Sequence, residues 1–235
     1  MQTPSDNLVE TIYADLRLKL QRSQVSASDR LVDTGIAARY GTSRMPAREA
    51  LLRLVAEGYL IGTTRGFAVR ELSVEDIGGL FEVRRQLEPR AAASAARDMT
   101  PEVETELSDA MTRIHDALQQ GDIPVLLGAN VDFRNAWLKA VRNPHMAATV
   151  ARFMNYFQSV RLDTFADAET VKHYITGLSR IHEAFLARDP LLVEERMTLF
   201  MFAAEEAFLA VRRRQLEDFK TQRQSRRKNK RRAVS

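Results

Sequence analysis

Three stretches of the chain place polar or ionisable side chains where chemistry is available to them. The first is NVDFRNAWLKAV, residues 130–141. At 100° per residue, Leu126, Phe133, Trp137, Ala140 and Val141 share one side of a helix, and Asp132, Asn135 and Lys139 face away. Asn130 and Arg134, one turn apart, then fall in the middle of the apolar arc. A polar group aimed at a core is costly unless it is paired. These two therefore have either a partner inside the protein or a ligand. A guanidinium presents a planar fork of donors that matches a carboxylate, and an amide beside it can donate or accept. The second stretch is DIGGLFEVRRQLEPRAAASAA. There Arg84 lies at the centre of the arc formed by Ile77, Leu80, Phe81, Leu87, Ala91 and Ala95, with Glu88 one turn on. It is either half of a structural ion pair or a second cation facing the same cavity as Arg134. His182, one turn after Leu178 and also on an apolar side, is a pocket-lining or satisfied core histidine, or a displaced metal ligand. A lone imidazole without a second imidazole or carboxylate makes a weak metal site.

The third stretch is RYGTSRMPAREAL. Gly41 allows a tight turn, Ser43 starts a helix, and Pro46 stands in its first turn, where a missing N–H does no harm. Ala47, Ala50, Leu51 and Leu54 pack inward. Ser43, Arg44, Met45 and Arg48 are left at the outer N-terminal end, the part of a recognition helix that meets DNA. An arginine there binds guanine bidentately or holds a phosphate, and the sequence does not say which.

The elements that must hold these residues follow from periodicity. Residues 8–20 have helical spacing. A short helix in LVDTGIAARYG ends at Gly41, and the next stops at Gly58. YLIGTTRGFAVREL alternates around a turn and reads as a hairpin, whose tip offers Thr64, Arg65 and Gly66 to a groove or backbone of DNA. Ser73 opens the second half with a capping-box pattern, SVED. From there to about Val211 only helical periods appear, interrupted at MTPE, QGDIP, RNPH, TFADAE and ARDP, which predicts five or six helices. The expected fold is mostly α. A winged helix-turn-helix over 1–72 precedes an all-α helical bundle over 73–213 and a basic, disordered tail over 214–235.

Composition narrows the function. The chain has 235 residues, 28% charged and 45% hydrophobic, as a soluble globular protein has. It has no Cys, which excludes a disulfide framework, a thiolate metal site and a Cys nucleophile, and fits the cytoplasm as the expected location. The opening residues lack a secretory-signal pattern. No stretch approaches the roughly 18 apolar residues of a membrane span. The net charge of +4 is uneven: from Arg212 onward eleven Lys and Arg stand against Glu217 and Asp218, while 73–211 is net acidic. No Ser-His-Asp arrangement, P-loop or dinucleotide glycine pattern appears, and His115, His145, His173 and His182 show no catalytic grouping, so no enzyme activity is expected.

GTSRMPAREALLRLVAEGYL closely resembles the GntR family of bacterial transcription regulators. The resemblance spans most of residues 8–72. It implies DNA contact by Ser43, Arg44, Arg48 and the Arg65-Gly66 wing. One departure is Thr34, at a position where the family usually offers an Arg. The opening helix of the second half, NVDFRNAWLKAVRNP and IHEAFLARDPLLVEERM resemble the helical FCD effector domain of the FadR-like branch. Many members of that branch hold a divalent metal on one Asp and three His. Carried over position by position, that set falls on Asn130, Arg134, Leu178 and Phe200. Leu and Phe cannot ligate, and a permanently charged Arg repels a cation, so no metal and no other cofactor is expected. These four residues, with Arg84 and His182, become the expected lining of an effector site in which Arg134 supplies the positive charge itself. The resemblance implies a homodimer on double-stranded DNA at a near-palindromic operator, and a repressor released by a small organic anion. The alternative is a DNA-binding regulator whose effector pocket is vestigial and insensitive to ligands.

Overall fold

The computed structural model describes residues 4–22, 24–26, 28–157, 164–165 and 167–232. Three helices come first: α1 (Pro4–Gln21), α2 (Asp33–Arg39) and α3 (Arg44–Ala56). A two-stranded hairpin of β1 (Ile61–Thr63) and β2 (Gly66–Ala68) follows. Ile12, Tyr13, Leu16 and Leu20 on one side of α1 are buried against α3, whose own inward face is Ala47, Ala50, Leu51 and Leu54. Leu31, just before α2, exchanges both backbone hydrogen bonds with Phe67, at 2.8 Å each, and so ties the wing to the helices. Gly66 has φ +114°, and a Cβ there would stand 2.7 Å from the Leu31 carbonyl oxygen. Only glycine fits.

The second half is helical among the described residues: α4 (Val74–Arg97), α5 (Pro101–Gln120), α6 (Ile123–Lys139), α7 (Pro144–Tyr156), α8 (Ala168–Leu186) and α9 (Pro190–Arg232). Its breaks fall where polar caps and prolines mark them. The Ser73–Asp76 capping box closes with two reciprocal bonds of 3.0 Å. Thr100, Asp122, Asn143 and Asp167 each accept a backbone N–H at the start of the next helix, satisfying donors that a helix end otherwise orphans. α4 packs chiefly on α9, α5 on α6, and α8 on α9 and α5. Phe81, Phe157 and Phe208 meet in the centre, with ring centroids 4.7 to 5.7 Å apart. No helix among the described residues is long and apolar enough to cross a membrane.

One expectation is corrected. α9 does not end at 213: it continues through the basic segment to Arg232. Lys, Arg and Gln are good helix formers, and the segment has no Pro or Gly to stop it. Its poverty in apolar residues argued against core contacts, which is a different matter from helix formation.

The buried apolar residues form two clusters, one running from Ile12 to Val69 and the other from Leu72 to Phe208. A short joint links them. Asn155 on α7 donates through Nδ2 to the Glu57 carbonyl at the end of α3, at 2.9 Å. The Arg70 guanidinium lies 5.0 Å over the Tyr156 ring. Gly58 has φ +85°, and a Cβ on it would stand 2.8 Å from the Arg152 carbonyl oxygen. Gly41 has φ +60° and open space around it. Gly41→Ala is therefore expected to cost about 1 kcal/mol from the left-handed backbone alone. Gly58→Ala should cost about 2–3 kcal/mol, because backbone strain adds to a clash with a carbonyl that cannot swing away. Urea unfolding followed by circular dichroism makes the comparison, and equal losses would show that α7 yields freely at this joint.

Candidate functional site

Two places bring the chemistry-bearing residues together. The first is the outer end of α3. Ser43 has the extended backbone of an N-cap residue, yet its side chain makes no capping bond, so the hydroxyl is free. Arg44, Met45 and Arg48 are exposed, and Met45, at 72%, is unusually so for a large apolar side chain. Thr64 and Arg65 are exposed at the tip of the hairpin. The turn there is fixed by Thr63, whose hydroxyl donates to the Gly66 carbonyl at 3.0 Å and accepts from the Arg65 N–H at 3.2 Å. The sequence reading missed Asp33. This residue opens α2, is buried, and receives Arg44 Nη2 on both carboxylate oxygens, at 3.1 and 3.3 Å. Arg48 Nη1 stands 3.6 Å from the same carboxylate. The hydrogen bond from Arg44 holds the Asp33 carboxyl below the usual carboxylate range. The only sequence signal was an acid in the first turn of the helix before the recognition helix, where the backbone dipole favours it. Thr34, the departure from the family pattern, is exposed beside it.

The second place is the interior of the helical half. Among the described residues Asn130 and Arg134 are both buried, at 6% and 5% exposure, as the wheel requires. Asn130 donates through Nδ2 to the Tyr174 hydroxyl at 3.3 Å. The Tyr174 ring packs edge-on against Phe200, 4.8 Å between centroids, and against Phe165 at 5.1 Å. Phe200 in turn closes on Gly177, where a Cβ would stand 2.7 Å from the ring. Leu178 is buried on the same helix as Tyr174. So Asn130, Tyr174 and Phe200 touch in series, and Arg134 stands one helical turn from Asn130. Arg134 Nε and Nη1 are buried with no hydrogen-bond partner among the described residues. Tyr174 was not singled out from the sequence, although it precedes Leu178 by one turn on the inward side of α8.

Of the two readings open for Arg84, the structure has the ion pair. Its guanidinium donates from both Nε and Nη2 to Glu88, and both side chains are buried. The rings of Phe81 and Phe157 cover it at 4.8 and 4.6 Å. His182 is half-buried against Ser108 Oγ, 3.1 Å from Nε2, with its ring edge towards Phe133. Burial pushes its pKa below the ordinary imidazole value. It is therefore a satisfied, partly core histidine. No group of three or more His, Asp or Glu that could hold a metal occurs among the described residues. The four positions carried over from the metal-binding relatives hold an amide, a guanidinium, a leucine and a phenyl ring. That donor set does not fit a divalent cation, and the unpartnered guanidinium opposes one by its charge.

A family model described as "Bacterial regulatory proteins, gntR family" matches residues 8–69, and one described as "FCD domain" matches residues 79–203. The HTH-type transcriptional regulator McbR of Escherichia coli is 31% identical over 131 residues, which cover 55% of this chain and 59% of that protein. The aligned part thus spans less than two thirds of that relative's length. A probable D-xylose utilization operon transcriptional repressor of Paenarthrobacter nicotinovorans is 28% identical over 168 residues, 69% of this chain and 72% of that protein. The solved structure of E. coli McbR superposes with a TM-score of 0.73 at 22% identity, covering 88% of this chain and 98% of the other, which shows a shared fold. With a winged helix-turn-helix at one end and the helical domain at the other, the chain belongs to the GntR family of DNA-binding transcription regulators that carry an FCD domain.

Proposed function

We propose that this regulator is a cytoplasmic homodimeric repressor, which leaves a near-palindromic operator when a small organic anion binds Arg134 without a metal. The observation that carries this reading is Arg134 itself: 5% exposed, with Nε and Nη1 buried and without an acceptor among the described residues. A buried charge without compensation costs several kcal/mol, and a carboxylate from solution is the ligand that removes the cost. Its two oxygens match the guanidinium fork. The Asn130 amide and Tyr174 hydroxyl lie beside it for a second polar contact, and Leu178 and Phe200 offer apolar walls for the rest of the molecule. Arg84 and His182 take no part, since each has its own partner.

At the other end, Ser43, Arg44, Met45 and Arg48 enter the major groove, with Arg65 and Thr64 of the wing against the backbone or minor groove. The Met45 thioether suits a thymine methyl. Repression is the sign that the Paenarthrobacter relative's name supports. The joint at α7 provides the route between the two ends. α7 follows α6, the helix of Arg134, and its last turn holds the end of α3 through Asn155 and Glu57. A ligand that draws α6 towards itself shifts α7, and α7 cannot move without moving the recognition helix or breaking that bond. The effector thus biases one placement of the DNA heads over another.

Stability measurements and ligand screening test the reading together. Glu88→Gln strands Arg84 and should destabilise the protein by about 3 kcal/mol. Arg134→Met removes a charge that has no partner among the described residues, and should raise the stability of the ligand-free protein by about 1–3 kcal/mol. A large loss in both variants would mean that Arg134 has an internal acid. In a thermal-shift screen of small carboxylic acids, at least one acid should raise the melting temperature of the wild type and release it from operator DNA, with zinc and with a chelator alike. Arg134→Met should lose both responses. A response that needs zinc, one that survives Arg134→Met, or silence across the acids would each sink the metal-free anion site, the last leaving a vestigial pocket.

A further inference from the structure

Asp33 is the one buried carboxylate among the described residues of the N-terminal half, and it faces Arg44 and Arg48 of α3 rather than water. Its side chain is 8% exposed, against 67% for Arg44 and 55% for Arg48. Arg44 and Arg48 are one turn apart on the same helix face, so their charges repel and, unrestrained, each long side chain samples many rotamers. The carboxylate removes both problems at once. Arg44 donates Nη2 to it and keeps Nε and Nη1; Arg48 pairs with it by charge, Nη1 at 3.6 Å, and keeps all its donors. Each guanidinium has five N–H donors, so enough remain pointing outward for a base edge.

We infer that Asp33 is a positioning residue that presets Arg44 and Arg48 for reading base edges and sets how strongly this surface discriminates among DNA sequences. The inference rests on the reading that the two arginines contact DNA. Two consequences follow from the charge and geometry. Fixing the guanidiniums before binding lowers the ordering cost of the bidentate contact that distinguishes guanine. A negative charge behind them also weakens attraction to phosphates at large, which is the sequence-independent part of binding. Both effects widen the gap between the right sequence and the wrong one, the first by strengthening specific contacts and the second by weakening indiscriminate ones. A carboxylate with a purely structural role would shift both affinities together.

The test uses the full-length chain. Duplexes selected from a randomised double-stranded DNA library by the wild type define a consensus. Affinity for that consensus and for a scrambled duplex of the same composition is then measured for the wild type, Asp33→Asn, Asp33→Glu, Arg44→Ala and Arg48→Ala. Asp33→Asn should lower the consensus-to-scrambled ratio about tenfold, with scrambled binding unchanged or tighter. Asp33→Glu, which keeps the charge, should stay within about threefold of the wild type. Asp33→Ser, small and uncharged at the same helix start, makes the comparison again if Asp33→Asn does not fold. An unchanged ratio in Asp33→Asn or Asp33→Ser, or an equal loss for both duplexes, overturns the inference. The arginine variants separate its failure from that of the underlying reading. If they lose discrimination while the Asp33 variants keep it, the arginines read DNA unaided. If they too keep the wild-type ratio, the assignment of Arg44 and Arg48 to DNA fails, and the role of Asp33 with it.

Discussion

A charge can be buried in a protein only where something answers it, and this structure is organised around three answers. Asp33 is answered by two arginines that are themselves mostly in water. Arg84 is answered inside, by Glu88 on its own helix and by two aromatic faces. Arg134 is answered by nothing among the described residues. The first arrangement shapes a surface, the second closes a core, and the third sets a guanidinium in the interior of the helical half. Burial is similar in all three, so burial alone does not separate structure from function; the identity and location of the partner do.

The same logic explains why the two halves are coupled through so small a joint. The end of α3 carries an unpaired carbonyl, as every helix end does. Glu57 offers that carbonyl to Asn155 of α7, while its carboxylate accepts from the Tyr13 hydroxyl at 2.7 and 2.9 Å. One residue thus ties the recognition helix to α1 through its side chain and to the helical half through its backbone. Gly58 lets the chains approach closely enough for that bond. On the far side of the joint, Phe157 follows the last turn of α7 and wedges between Phe81 and Phe208 beside Arg84. The ion pair at Arg84 therefore has a reason to be rigid: it forms part of the seat on which α7 rests.

Much of this was legible in the sequence, because periodicity and caps report local geometry. The burial of Asn130 and Arg134 followed from a helical wheel, and the breaks between helices from Thr100, Asp122 and Asn143 with their neighbouring prolines and from Asp167. Arg84 and Glu88 were legible as a pair because both lie on one helix. What stayed hidden depended on contacts between elements. Asp33 read as an ordinary acid at a helix start; only the angle between α2 and α3 aims it at Arg44 and Arg48. Tyr174 read as one aromatic among several, and its tie to Asn130 arises from how α8 crosses α6. The course of α9 to Arg232 was misjudged for another reason: composition reports whether a segment can join a core, and a polar helix need not join one.

Replacing a metal site by a guanidinium changes the physics of sensing as well as its ligands. A metal ion is a removable charge, so its site is stable only when loaded and its affinity for an anion depends on metal supply. Arg134 is a charge carried by the chain itself. On the proposed reading the site needs no metal to be ready, and Nε and Nη1, which have no partner among the described residues, are matched only when a ligand arrives. On that reading the cost of leaving them unmatched is what makes the site a switch. The free energy recovered on pairing Arg134 is available only in the liganded state, and any differential between two placements of the DNA heads must come from such a state-dependent term. A metal bound in both states would contribute less to the difference, however tightly it held the anion.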